Sequence, residues 1–157
     1  MQASLDRIDL IILKNLLKDG RASFSSIAKE TKLTDVAIKK RVEGLKKKGV
    51  IGSITANLNL KTLGFENPIF VQMRSEIGKN KDLFKRLTDL DYVLELYQVL
   101  GEYNLLAKIV VNDLNQAEKV IAKLGTLDGI IDLKTLVVLS ELKSGPALPS
   151  GALQKKL

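Results

Sequence analysis

Six cations fall within ten positions of this chain, as Lys39-Lys40-Arg41 and Lys46-Lys47-Lys48. The chemistry open to such a run is neutralisation of a polyanion, because each Lys or Arg offers a charged donor to a phosphate. The charge is also localised. Residues 1–64 hold thirteen Lys/Arg and six Asp/Glu, whereas residues 65–157 hold twelve of each, so the whole net charge of +7 lies in the first part. A basic module joined to a neutral one fits a part that meets a polyanion beside a part that does something else, and charge alone fits a solvated lysine-rich surface equally well. Other chemistries are excluded or unsupported. With no cysteine there is neither a disulfide nor a thiolate metal site, and with no histidine the commonest neutral-pH base and metal ligand are gone. A carboxylate-only metal site or a Ser/Lys active site remains allowed, but no residues are arranged as one. No metal or cofactor is expected.

The elements that must position these cations follow from local signals. Asp6 can cap a first helix, with Asp9 three residues on near the positive end of its dipole. Ile8, Ile12 and Leu16 recur at helical spacing, and Gly20 stops the run just after Asp19. A shorter helix follows Ser23, with Ile27 and Ala28 inward. Thr31-Lys32-Leu33 forms a tight turn. Thr34 or Asp35 then caps a third helix that runs to about Lys48 and ends at Gly49. On that helix Ile38, Val42 and Leu45 lie within about 60° of one another at 100° per residue, opposite Val36, Lys40, Glu43 and Lys47. One face packs while the other is exposed and mostly basic, which is helix-turn-helix architecture.

Beyond Val50 the period changes. Residues 51–57 alternate loosely and predict a strand leading into a linker, and Pro68 opens a second domain. Strands are expected over 69–74, 92–100, 104–111 and 130–142, with helices over 81–90 and 114–124. The order βαββαβ is that of a ferredoxin-like sandwich, so the class is α+β. The expected divisions are a helix-turn-helix domain at 1–50, a strand and linker at 51–67, the sandwich at 68–142 and a tail at 143–157. Val71, Met73, Leu96, Leu106, Val137 and Leu139 exceed what two helices need to cover, so self-association through the sheet is expected. The longest early apolar run, Leu10-Ile11-Ile12-Leu13, is too short for a signal peptide or a membrane span. No membrane partner is expected, and a cytoplasmic location is. The shortage of Cys, His, Met and Trp, with abundant Lys, is compatible with a thermophilic source.

Four stretches in this order resemble the Lrp/AsnC (feast/famine) family of transcription regulators, as found in thermophilic archaea. They are Leu5-Asp6-Arg7-Ile8-Asp9, Arg21-Ala22-Ser23, Ile27-Ala28, and Arg41-Val42-Glu43-Gly44-Leu45 followed by Gly49-Val50-Ile51. The second half resembles the family's ligand-sensing and oligomerising domain, with Gly101-Glu102-Tyr103-Asn104 at its signature turn. The resemblance implies a third helix in the DNA major groove and residues 51–57 paired with their counterpart in a second subunit. It further implies sheet-to-sheet dimers that can assemble into octamers, and amino-acid effectors held between dimers. Two departures stand out. Lys32 occupies a turn position that commonly carries Gly, so a left-handed backbone is expected there. Asn104 replaces a usual Asp, which removes a charge that an effector's ammonium could meet, so little response to the twenty amino acids is expected unless Glu102 or Asp132 supplies the carboxylate, and any effector is expected to carry a different charge.

The residues read as facing DNA are Arg21, Ser23, Thr34, Asp35, Val36, Lys39, Lys40, Arg41 and Lys47. Arg41 lies nearest the packed edge and can join a phosphate contact to an internal hydrogen bond. Val36 can touch a thymine methyl or be a tolerated surface valine. Lys46–Lys48, at the far end, suit phosphates better than base edges. The effector set is Gly101, Glu102, Tyr103, Asn104 and Asp132, with Gly101 better explained by the needs of the turn than by a ligand contact, although the two roles can coexist. The expected function is a DNA-binding transcription regulator acting as a dimer or higher oligomer at the nucleoid. The alternative is an architectural protein that wraps DNA with weak sequence preference. Decarboxylases of haem biosynthesis share the two-domain plan, but they are expected to use a histidine that this chain lacks, so no enzyme is expected.

Overall fold

The computed structural model describes residues 4–76, 80–143, 148 and 152–153. The chain divides into two compact units, Met1–Asn57 with Lys143–Leu157, and Leu58–Leu142. The first boundary therefore falls inside the expected linker, and the C-terminal stretch belongs with the first unit.

In the first unit three helices follow one another: α1 (Arg7–Lys18), α2 (Phe24–Thr31) and α3 (Asp35–Lys47). Each is started by the expected side chain. Asp6 accepts from the Asp9 amide, Ser23 from Ser26, and Thr34, not Asp35, from Ala37. Such caps satisfy amides that have no intrahelical partner, and each is worth about 1 kcal/mol. The apolar stripes converge on one core in which Ile12, Ile27 and Ile38 are wholly buried beside Val42 and Leu45. Burying each large aliphatic side chain contributes about 1.5–3 kcal/mol. Leu153 packs half-buried against the same core, and most of the expected tail lies outside the described residues.

Residues 51–57 form no strand in this chain. The Ile51 amide donates to Leu45 O at 3.3 Å, and Ile54 packs beside Gly20, where an added Cβ would sit 3.0 Å from its Cγ2. The remainder is exposed. Loose alternation reports an extended preference, but a ladder needs a second strand, and this chain offers none here.

The second unit runs β1 (Ile69–Ser75), α4 (Asn80–Thr88), β2 (Val93–Gln98), β3 (Leu105–Ile109), α5 (Leu114–Gly125) and β4 (Ile130–Val137). Its antiparallel sheet has the order β2-β3-β1-β4, which is the expected ferredoxin-like arrangement. Ile69, Val71 and Met73 share a buried cluster with Leu105, Ala107, Ile109, Leu83, Leu87, Val120 and Leu124, so α4 and α5 cover that face.

The opposite face departs from expectation. Register places Thr135 against Val71, Leu133 against Met73 and Val137 against Ile69. Val71, Met73, Leu96 and Val137 therefore point to the helix side. Leu106 alone of the expected set lies on the open face, beside Phe70, Tyr97 and Leu136. Leu139 lies beyond β4, almost fully exposed. A run of consecutive apolar residues cannot show which parity faces the helices; only the pairing settles it.

Lys32 closes α2 with φ 57° and ψ 36°, the left-handed conformation expected of it. A Cβ makes that conformation costly, and glycine removes the cost. Lys32→Gly should raise the stability of the first unit by about 0.5–1 kcal/mol, read as a shift in its denaturant midpoint; no shift would mean that the strain is offset elsewhere.

Candidate nucleic-acid interface and ligand depression

The basic surface is built on α3, with its apolar face fixed in the core and the other side in solvent. Val36 is 77% exposed, and Lys39, Lys40 and Lys47 are exposed with no ion-pair partner among the described residues. Arg21 is exposed at the entry to α2, its own amide donating to Asp19 Oδ1 at 2.8 Å. Four cations and one apolar side chain are thus free to meet another molecule. The expected contacts Ser23 and Thr34 are occupied as caps, although each hydroxyl keeps a hydrogen to donate. Asp35 accepts from Ser25 Oγ at 2.7 Å, joining α2 to α3. A carboxylate there suits the positive end of the helix more than a phosphate neighbour.

Arg41 turns inward. Its Nη1 donates to Asp6 Oδ2 at 2.6 Å and Asp9 Oδ1 at 2.9 Å. The same two aspartates form a capping box, in which the Asp9 amide donates to Asp6 Oδ1 at 2.8 Å and the Asp6 amide to Asp9 Oδ2 at 3.3 Å. Asp9 is only 7% exposed. The expected internal bond of Arg41 is present, and it ties α3 to the start of α1. The Asp9 amide, with the Arg41 guanidinium beside it, holds the Asp6 carboxyl below its ordinary value, and the bond to Asp6 raises Arg41.

In the second unit the turn after β2 faces the end of β1. Gly101 has φ 156°, a region that favours glycine. Asn104 does not point its amide at solvent alone. Its Oδ1 accepts from the Ser75 amide at 2.8 Å and the Ser75 hydroxyl at 3.1 Å, while its Nδ2 donates to Ser75 O at 3.2 Å. The Tyr103 hydroxyl donates to Asp132 Oδ2 at 2.8 Å, and Lys134 Nζ lies 5.2 Å from the Tyr103 ring centroid. That hydrogen bond raises Tyr103 and lowers Asp132.

An open depression of about 630 Å³ is lined by Arg74, Ser75, Glu76, Gly101, Glu102, Asn104 and Ile131. Three of the expected effector residues are thus brought together, while Tyr103 and Asp132 pair with each other outside the lining. Arg74, Ser75, Glu76 and Ile131 were not anticipated. The one sequence signal was a charged residue inside the apolar β1 run, and its meaning depends on register. Among the described residues no group of three His, Cys, Asp or Glu could hold a metal, and no helix is long and apolar enough to cross a membrane.

A capped helix-turn-helix with a basic outer face, together with a ferredoxin-like sandwich carrying an open depression, defines a two-domain DNA-binding regulator. Residues 5–46 match the AsnC-type helix-turn-helix domain and residues 69–148 the Lrp/AsnC ligand binding domain. The chain belongs to the Lrp/AsnC family of helix-turn-helix transcriptional regulators, whose members are regulators and not enzymes. It is 31% identical to the transcriptional regulator FL11 of Pyrococcus abyssi over 95% of this chain and 99% of that one. It is 34% identical to Ptr1 of Methanocaldococcus jannaschii over 92% and 99%. The structure of E. coli AsnC superposes with a TM-score of 0.85 at 27% identity, covering 94% of this chain and 100% of that one. A feast or famine regulatory protein from M. tuberculosis, solved with L-methionine, gives 0.85 at 25% identity over 92% and 99%.

Two outcomes follow. Asp6 has a lowered folded pKa, so its contribution is present above the unfolded value, about 3.9, and is lost as pH falls below it. Asp6→Asn, which keeps a capping oxygen, should flatten the acid limb of the first unit's stability below about pH 4, as followed by circular dichroism. An unchanged limb would assign the acid dependence elsewhere. Asn104→Asp keeps the acceptor but loses the donor to Ser75 O and sets a negative charge beside that carbonyl. It should destabilise the second unit by about 1–3 kcal/mol, measured by thermal unfolding.

Proposed function

We propose that the chain regulates transcription by binding duplex DNA as a dimer, with α3 in the major groove. Lys39, Lys40, Lys47 and Arg21 meet phosphates, and Val36 meets a base edge. The observation that carries this reading is the set of exposed α3 cations without internal partners on a helix fixed by its caps and core. Phosphate contacts orient the helix, and a single apolar contact reads the sequence. Two recognition helices must stand about 34 Å apart to enter successive major grooves. The open sheet face, with Phe70, Tyr97, Leu106 and Leu136, and the unpaired residues 51–57 supply surfaces for the second copy. Further assembly to an octamer, action at the nucleoid in the cytoplasm, and modulation by a small molecule held in the depression complete the reading. The amino-acid complex of the similar M. tuberculosis protein supports the last of these.

Binding should weaken steeply with salt, with a log–log slope on the order of −5 or steeper at ~0.9 per neutralised phosphate. Lys40→Ala should weaken binding to operator-like and bulk DNA alike, whereas Val36→Ala should change the ratio between them. Fluorescence anisotropy across a salt series measures both, and affinity that does not change from low to moderate salt would overturn the reading. An unchanged ratio in Val36→Ala would remove Val36 from base recognition.

A further inference from the structure

We propose that the outer face of α1 is a docking surface for an acidic, partly apolar segment of another protein, which it can hold while α3 engages DNA. Arg7, Lys14 and Lys18 fall within about 40° of one another at 100° per residue and span about 17 Å of the helix. All three are exposed, and their side chains make no hydrogen bond or ion pair among the described residues. They point away from the core, which receives Ile12 and Leu13 from the opposite side of the helix. Beside the cations stand Leu17, 42% exposed, and the half-buried Leu10 and Ile11. None of these three belongs to the core or to the side chains packed on it.

The stability of the helix does not account for this face. Arg7 stands at the positive end of α1, where a cation is disfavoured, and Lys14 and Lys18 are like charges one turn apart. On α3 Glu43 lies between the lysines, but the acids at the start of α1, Asp6 and Asp9, are both bound to Arg41. Leucine and isoleucine in water gain nothing from a hydrated phosphate backbone, whereas an apolar partner removes them from water. Apolar side chains set beside cations are therefore complementary to a surface that carries apolar side chains and carboxylates. A second copy of this chain does not supply one, because its first part has the same excess of +7 and its second part is neutral. The basic face of α3 leads away from the same core on a different helix, so α1 can be occupied while α3 lies on DNA.

The test is selection of displayed random peptides of about sixteen residues, long enough as a helix to cover the stripe, on the full chain with duplex DNA in excess. Selected sequences should combine Asp or Glu with Leu, Ile or Phe. Synthesised and followed by fluorescence anisotropy, they should bind Arg7→Glu and Lys14→Glu about tenfold or more weakly, as befits a charge pair turned into a repulsion. Leu17→Gln should cost a similar factor. All three positions are exposed, and the replacements suit a helix, so folding is not threatened. Replacing the peptide acids by Lys one at a time should, at one of them, restore binding to Lys14→Glu. Lys40→Ala should weaken DNA binding and leave peptide binding unchanged. Peptide binding by a chain that does not bind DNA would uphold this surface and overturn the reading of α3. The proposal is overturned if no peptide is enriched, or if the peptides bind as well with their apolar residues replaced by Ser. Peptide binding lost in Lys40→Ala but kept in the α1 variants overturns it too. A second duplex whose binding depends on Arg7 and Lys14 would assign the face to DNA, and a change of oligomeric state in Lys14→Glu, seen by light scattering, would assign it to a second copy; either result overturns the proposal.

Discussion

The placement of the basic helix depends on one guanidinium. Arg41 Nη1 lies within hydrogen-bond reach of two carboxylates that are themselves locked into the first turn of α1. Asp9 is nearly buried, and a buried carboxylate without a cation would be costly to keep charged. The arrangement is closed: the capping box orients the two acids, the acids orient Arg41, and Arg41 holds α3. A neutral side chain would break the circuit. Both bonds come from one nitrogen, Nη1, whose two hydrogens serve one acid each. The face that α3 turns to solvent is therefore fixed at its base by a charge cluster, in addition to the apolar stripe of Ile38, Val42 and Leu45.

What could be read from the sequence divides by range. The N-caps at Asp6, Ser23 and Thr34, the left-handed Lys32 and the stop at Gly49 involve residues at most four apart, where rules of local geometry suffice. The α3 stripe repeats at a known period, and burial follows the period. The βαββαβ order was legible because each element is long enough to carry its own pattern. The failures are all non-local. Which parity of β1 meets the helices is set by cores formed from α4 and α5, so Phe70 and Val71 could not be sorted in advance. Asn104 engages Ser75 across 29 positions. The Arg74–Asp132 juxtaposition exists only through strand register. Residues 51–57 show an extended pattern that pairs with no strand among the described residues.

The two units also use their polar groups differently. In the sandwich, the open face mixes an ion pair, Lys108 to Glu95 at 3.0 Å, with Tyr97 donating to the same carboxylate at 2.6 Å. These charges satisfy each other beside Leu106 and Phe70, which keeps an otherwise apolar face tolerant of both water and a partner. Around the depression the amide, the phenol and one aspartate make internal bonds, and Arg74 acts on that aspartate through its charge.

The same logic explains the field of the first unit. Of its acids, Asp6 and Asp9 are bound to Arg41, Asp19 accepts from the Arg21 amide, Glu30 from Asn15, and Asp35 from Ser25. These carboxylates hold elements together, and among the described residues only Arg41 of the cations is drawn into an ion pair with them. Glu43 remains on the exposed side of α3, four residues from both Lys39 and Lys47, where opposite charges at helical spacing each stabilise the helix by about 0.2–0.5 kcal/mol. Without it, the crowded lysines would repel one another in the unbound protein. The acids of the unit are therefore engaged by its own groups or ease that repulsion, so the basic face keeps its charge for a polyanion.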